Sequence, residues 1–180
     1  MINSYITIGG QGSRLKSLSP IDKYRLYYKD KRIIDWILTI VPTAKLLGHK
    51  KTNSRKETLL EIANQENVLI IDCDIIPFGL DLSLIDTRTD GIFVFRSDKD
   101  KWGSAEINNE RLVSCDESNN ISDYKCSGVY YIKNMRDTLD KMEQNSIASG
   151  IIGAKAIVES SFARFGDIED YIEAIGYDYN

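Results

Sequence analysis

An α/β fold built on a mainly parallel sheet with some antiparallel strands is predicted by three features of the sequence. Short β-branched or continuously apolar runs alternate with segments of helical period, two of those runs end in glycines or aspartates, and a hairpin pattern follows in the second half. The 180 residues suit one domain, 1–180, since a chain of this length buries roughly 70% of its unfolded surface without disulfide or metal staples.

Tyr5-Ile6-Thr7-Ile8 is a short buried strand that runs into Gly9-Gly10-Gln11-Gly12-Ser13-Arg14. Arg32 to Val41 is a helix stopped by Pro42, with Ile33, Trp36, Ile37 and Ile40 on one face. Ala44 to Gly48 supplies a second strand. Ser54-Arg55-Lys56-Glu57 is a capping box that opens a helix, its apolar residues being Leu59, Leu60, Ile62 and Ala63. Val68-Leu69-Ile70-Ile71 has the unbroken apolarity of a strand covered on both faces, and it ends at Asp72-Cys73-Asp74.

Gly91 to Phe95 is the next strand, and Ser104 to Ile107 with Arg111 to Ser114 form a hairpin around Asn108-Asn109. Ser127 to Ile132 is a strand. Asn134 then caps a helix carrying Met135, Leu139 and Met142, and Asp167 caps a last helix through Ile175. Ligands on such sheets bind beyond the strands' carboxyl ends, which draws attention to residues 9–14 and 72–74.

Composition narrows the function. There are 23 Lys+Arg against 27 Asp+Glu, a formal charge of −4, which argues against charge-driven binding to nucleic acid or anionic membranes. No apolar run nears the ~18 residues of a membrane span and the first residues lack signal-peptide character, so a cytoplasmic location is expected. Cys73, Cys115 and Cys126 form no C-x-x-C pair, and His49 is the sole histidine, so reduced thiols and no structural zinc are expected.

Glycines at 9, 10 and 12 let successive backbone N–H groups turn toward phosphate oxygens, and Arg14 adds a bidentate charge. Alone, that loop is equally a tight structural turn, because its spacing matches neither G-x-G-x-x-G nor G-x-x-x-x-G-K-[ST]. Its continuation, Leu15-Lys16-Ser17-Leu18-Ser19-Pro20-Ile21-Asp22-Lys23-Tyr24-Arg25-Leu26 and on to Lys29-Asp30-Lys31-Arg32-Ile33-Ile34-Asp35-Trp36, decides between them. The stretch resembles the signature of the sugar-phosphate nucleotidyltransferases, the NDP-sugar pyrophosphorylases: G-G-x-G-[ST]-R-L-x-P-L-[ST], then P-K-x-x-L, then G-K-P-[LI]-[IL]. Ser17 and Asp22 stand where that pattern has proline, and Asp30-Lys31-Arg32 where it has G-K-P.

Fainter likenesses follow: Val68–Asp74 to the strand ending in a magnesium-binding aspartate, Arg111–Glu117 to the segment before E-K-P, Ser127–Tyr130 to N-A-G-I-Y, and Phe165–Tyr171 to D-I-G-T-P-E-D-Y. The resemblance implies the three-layer α/β/α, Rossmann-like (GT-A-like) nucleotidyltransferase fold, in a short, divergent version. It implies a nucleoside triphosphate and a small phosphorylated acceptor as substrates, Mg²⁺ as cofactor, and a homo-oligomer as an admissible state. It assigns Gly9, Gly10, Gln11, Gly12 and Ser13 to the nucleotide, Arg14 and Lys23 to catalysis, Asp74 and Asp72 to the metal, and Glu117 and Gly128 to the acceptor. Asp72 is alternatively a supporting group behind Asp74.

The departures bear on the acceptor side. Ser118 stands where the family has the lysine of E-K-P, Cys126 where it has the asparagine of N-A-G, and Arg164 where it has a second metal-binding aspartate. A guanidinium ~4 Å from Mg²⁺ at an effective dielectric of ~20 would be repelled by about 8 kcal/mol. Either Asp167 or Glu159 supplies the carboxylate, or Arg164 turns to a phosphate, or the metal is held by Asp74 and the nucleotide alone. Thr52-Asn53-Ser54-Arg55 takes the place of the family's base-reading G-T-A segment, so no base is assigned.

Two other functions compete. Asp72-Cys73-Asp74 is also the D-x-D of a GT-A glycosyltransferase, which consumes an NDP-sugar without releasing pyrophosphate. Ser118, Cys126 and Arg164 together suit a nucleotide-binding regulatory domain with weakened catalysis.

Overall fold

The computed structural model describes residues 1–9, 22–48, 52–99, 102–143, 145–158 and 161–176. Gly10, Gln11, Gly12, Ser13, Arg14, His49 and Glu159, singled out from the sequence, lie outside the described residues.

In chain order the elements are β1 (Asn3–Thr7), a 3-10 turn (Lys23–Arg25), β2 (Tyr27–Tyr28), β3 (Lys31–Arg32), α1 (Ile33–Ile40), β4 (Lys45–Leu47) and α2 (Arg55–Leu59). There follow β5 (Glu66–Asp72), β6 (Ile75–Ile76), β7 (Gly91–Arg96), β8 (Ser104–Asn108), β9 (Arg111–Asp116) and β10 (Tyr124–Asn134). The chain continues with α3 (Met135–Lys141), α4 (Ile147–Gly150), β11 (Lys155–Val158), β12 (Ala163–Arg164) and α5 (Ile168–Gly176).

Eight strands make the main sheet, in the order β4-β1-β5-β10-β7-β11-β9-β8. Side chains alternate across it as the pleat requires. Tyr5, Val68, Ile70, Ile92, Val94, Tyr130 and Ile132 face a core shared with α2, α3 and α4. Ile6, Leu69, Ile71, Phe93, Val129 and Tyr131 face a second core under α1 and α5. Helices on both faces give the three layers expected, and they explain why 68–71 is apolar without a break: every residue there is fully buried. No helix among the described residues is long and apolar enough to cross a membrane.

The sheet is more antiparallel than the sequence predicts. β1 runs parallel to β4 and β5, and β11 parallel to β7, but β10 is antiparallel to β5, β7 and β8, and β9 is antiparallel to β11 and β8. The β8–β9 hairpin returns along the sheet and meets β10 at Lys125↔Ser104, so that β10, β7, β11, β9 and β8 partly close as a barrel. A register shift in β10 between Cys126 and Tyr130 permits the bend.

Local signals act as read. Asn134 and Asp167 accept from the backbone N–H groups of Asp137 and Asp170, at 3.2 and 2.8 Å. Ser54 accepts from Glu57 N–H at 3.1 Å, while the Glu57 carboxylate reaches the N–H of Asn53 rather than that of Ser54. The hairpin turns at Asn109-Glu110, one residue beyond the Asn108-Asn109 expected, and both residues have positive φ (48° and 60°).

A glutamate at φ 60° sits in left-handed backbone that a side chain disfavours by about 1–2 kcal/mol. Glu110→Gly removes that strain and gives the turn the Asn-Gly sequence of a type I′ hairpin, offset by glycine's larger unfolded-state entropy. Urea denaturation should show a net gain of about 0.5–1 kcal/mol.

Candidate active site

Parallel pairing of β1 with β5 sets Thr7 opposite Asp72 at the strands' carboxyl ends, and the Thr7 hydroxyl donates to Asp72 Oδ1 at 3.0 Å. The other carboxylate oxygen, Oδ2, takes a guanidinium N–H of Arg55 at 3.1 Å. Arg55 is the first residue of α2, and the Ser54 cap just before it fixes where that helix begins. Both oxygens of Asp72 are therefore occupied by protein donors. Burial works to raise the Asp72 carboxyl, and Arg55 opposes it, while Asp72 in turn holds the Arg55 guanidinium firmly charged.

Asp74 lies in the turn past the end of β5 rather than in the strand, with part of its side chain open to solvent. Lys23, delivered by the 3-10 turn, donates to Asp74 Oδ2 at 3.2 Å and to the carbonyl of Gly166 at 2.6 Å. The second strap on Asp74 comes from the far end of the chain. β12 pairs with β6 in the register Arg164↔Ile75, and Phe165 N–H donates to the Asp74 carbonyl at 2.8 Å. Burial pushes the Asp74 carboxyl up, but Lys23, Arg164 and Arg55 together outweigh it and hold the group below the usual carboxylate range.

Gly128, expected at the acceptor, forms the floor beneath the carboxylates. Its φ is +89°, and a Cβ there would stand 2.3 Å from Ile75 Cδ1 and 3.1 Å from Asp72 Oδ2. Only glycine lets β10 pass this close. Glu117 is exposed just beyond β9; its Oε1 accepts from Ser146 at 2.9 Å, and its charge reaches Arg55, though it makes no contact with Asp72 or Asp74 among those described. Gly9 leaves β1 packed against Gly48 and Thr58, where a Cβ would meet Thr58 Oγ1 at 2.7 Å, so its smallness serves close packing in this structure.

Arg164 projects toward the same cluster. Its Nη1 donates to the Cys126 carbonyl at 3.4 Å and its guanidinium lies 5.7 Å from the centre of the Trp102 ring. Asp167, proposed from the sequence as a substitute carboxylate, is instead occupied capping α5. Cys73 and Cys126 are pushed up by burial, Cys126 to about 12, so neither is a thiolate nucleophile at neutral pH.

The structure thus brings together Lys23, Asp72, Asp74 and Gly128 of the residues expected at the site, with Glu117 on its margin. Thr7, Arg55 and the Gly166 carbonyl join them without having been singled out for this role. Arg55 had a readable signal, a basic residue at the start of a helix just after a strand's carboxyl end; Thr7 and Gly166 carry none apart from their neighbours.

Two measurements test this arrangement. Gly128→Ala should cost about 2–4 kcal/mol in urea denaturation, from left-handed strain and from overpacking against Ile75. Because the folded-state value of Asp74 is depressed, its contribution is present above the ordinary carboxylate range and is lost as pH falls through the folded value. The stability difference between wild type and Asp74→Asn should be full near neutral pH and shrink as pH falls below about 4.

No family model matches the sequence, and no curated protein does. Solved structures match over almost the whole chain. The nucleoside-diphosphate-sugar pyrophosphorylase of Vibrio cholerae RC9 is 15% identical with a TM-score of 0.71, the alignment covering 97% of this chain and 100% of that one. The CTP:phosphocholine cytidylyltransferase of Streptococcus pneumoniae is 12% identical with a TM-score of 0.76, covering 97% and 98%. A UDP-glucose pyrophosphorylase complexed with UDP-glucose is 15% identical with a TM-score of 0.75, covering 98% of each. At these identities the likeness concerns architecture: the chain has the fold of the sugar-phosphate nucleotidyltransferases.

Proposed function

We propose that the protein is a Mg²⁺-dependent nucleotidyltransferase that moves a nucleoside monophosphate from a nucleoside triphosphate to a small phosphorylated acceptor. An acceptor phosphate oxygen attacks the α-phosphorus in line, a new P–O bond forms, the α–β bond breaks, and pyrophosphate leaves. The observation that carries the reading is the convergence of Lys23, Arg55 and Arg164 on the Asp72–Asp74 pair at the carboxyl end of β5, in a fold shared with enzymes of this reaction class. Phosphoryl transfer asks the protein mainly to position reactants and neutralise charge, and this cluster supplies both.

In this reading Gly9, Gly10, Gln11, Gly12 and Ser13 offer backbone N–H groups to the triphosphate, and Arg14 neutralises the leaving β- and γ-phosphates. Lys23 exchanges its contact with Asp74 for the α-phosphate. Glu117 and Gly128 border the acceptor. Asp74 suits Mg²⁺: it is ionised, partly open to solvent, and its Oδ1 is unused among the described residues. Asp72 suits it poorly, being filled by Thr7 and Arg55, and acts as the anchor of Arg55. Among the described residues no group of three or more His, Cys, Asp or Glu is placed to hold an ion, so the remaining ligands would be triphosphate oxygens and water. Bound there, Mg²⁺ would screen the phosphates' negative charge.

The same occupancy of Asp72 disfavours the D-x-D glycosyltransferase reading. A pyrophosphate-release assay over four nucleoside triphosphates and a panel of phosphorylated acceptors tests the proposal. Turnover is expected with at least one pair, abolished by EDTA, and lowered about 10²-fold or more in kcat by Arg14→Ala or Lys23→Ala. Consumption of an NDP-sugar without pyrophosphate would overturn it in favour of glycosyl transfer.

A further inference from the structure

Lys23 and Arg55 each have a carboxylate partner in the site; Arg164 has none among the described residues. Its Nη1 makes one long hydrogen bond to a neutral carbonyl, and its Nε is buried with no acceptor among the described residues. Asp170 is buried beside Gly166 as well, and no ion pair between it and Arg164 occurs among those described. The orphaned Nε is near the site: a Cβ on Gly166 would lie 3.5 Å from it and 3.8 Å from Asp74 Oδ2. The Trp102 ring and the Cys126 carbonyl hold the guanidinium there.

A buried, unsatisfied N–H on a permanently charged group is costly, and proteins retain such a group where something else completes it. The guanidinium edge that carries Nε is one of the two-pronged faces by which arginine takes a pair of oxygens from a phosphoryl group. Asp74 is attracted electrostatically by Arg164 but accepts no hydrogen bond from it among the described residues, so it does not complete the buried Nε.

We propose that Arg164 is a substrate-binding residue whose Nε edge receives phosphoryl oxygens of a bound substrate. The inference rests on the nucleotidyltransferase reading, in which two sources bring that chemistry: the triphosphate and the phosphorylated acceptor. Position 164 then contributes positive charge to the reacting phosphates directly.

Calorimetric titrations of the wild-type protein, Arg164→Gln and Arg164→Lys decide it, run in EDTA so that no metal-borne binding contributes. The probes are inorganic pyrophosphate for the triphosphate and glycerol 3-phosphate for the acceptor. Arg164→Gln should weaken at least one probe tenfold or more, with Arg164→Lys recovering part of the loss; the probe affected identifies the source. Equal affinity of wild type and Arg164→Gln for both probes overturns the inference while leaving the nucleotidyltransferase reading in place. If the wild type binds neither probe nor any nucleoside triphosphate, both fall. Phenylglyoxal labelling of the wild type, mapped by mass spectrometry, needs no variant: either probe should slow modification of Arg164, and no protection by either overturns the inference.

Discussion

Two aspartates two positions apart at the end of a buried strand create the constraint around which the rest of the site is arranged. Neighbouring carboxylates repel, and each also loses hydration on burial. The chain answers with cations from three distant segments. Lys23 comes from the 3-10 turn after β1, Arg55 opens the second helix, and Arg164 arrives from near the carboxyl terminus. None is a sequence neighbour of Asp72 or Asp74, so the ion pairs of Lys23 and Arg55 also tie the topology together.

The two carboxylates end up doing different work, and burial separates them. Asp72 ends β5 and is buried, with both oxygens taken, so it is part of the framework that aims Arg55. Asp74, in the turn, keeps contact with solvent and has an oxygen to spare among the described residues. A reading of D-x-D as two equivalent ligands misses this asymmetry, which follows from a strand ending between them.

The same geometry relates fold to chemistry. The β6–β12 pairing is only two residues on each strand, yet it carries Arg164, Phe165 and Gly166 to Asp74. Gly128 lets the long strand β10 cross beneath Asp72 while the register shift around it bends the sheet toward closure. A local concession in one strand therefore shapes both the floor of the site and the partial barrel beside it.

By itself the sequence determined what depends on neighbours along the chain: strands from apolar runs, helix starts from Ser54, Asn134 and Asp167, and the three-layer class; it also singled out Lys23, Asp72, Asp74 and Gly128, which the fold brings together. These are short-range properties, or a signature spanning some 25 residues. Only the tertiary structure decided the antiparallel share of the sheet, because pairing direction is chosen between strands far apart in sequence and a long bent strand satisfies three partners at once. It alone decided that Arg55 belongs to Asp72 and that Arg164 keeps a buried donor unpaired among the described residues. Which charges meet in a low-dielectric site is settled by packing across the whole chain.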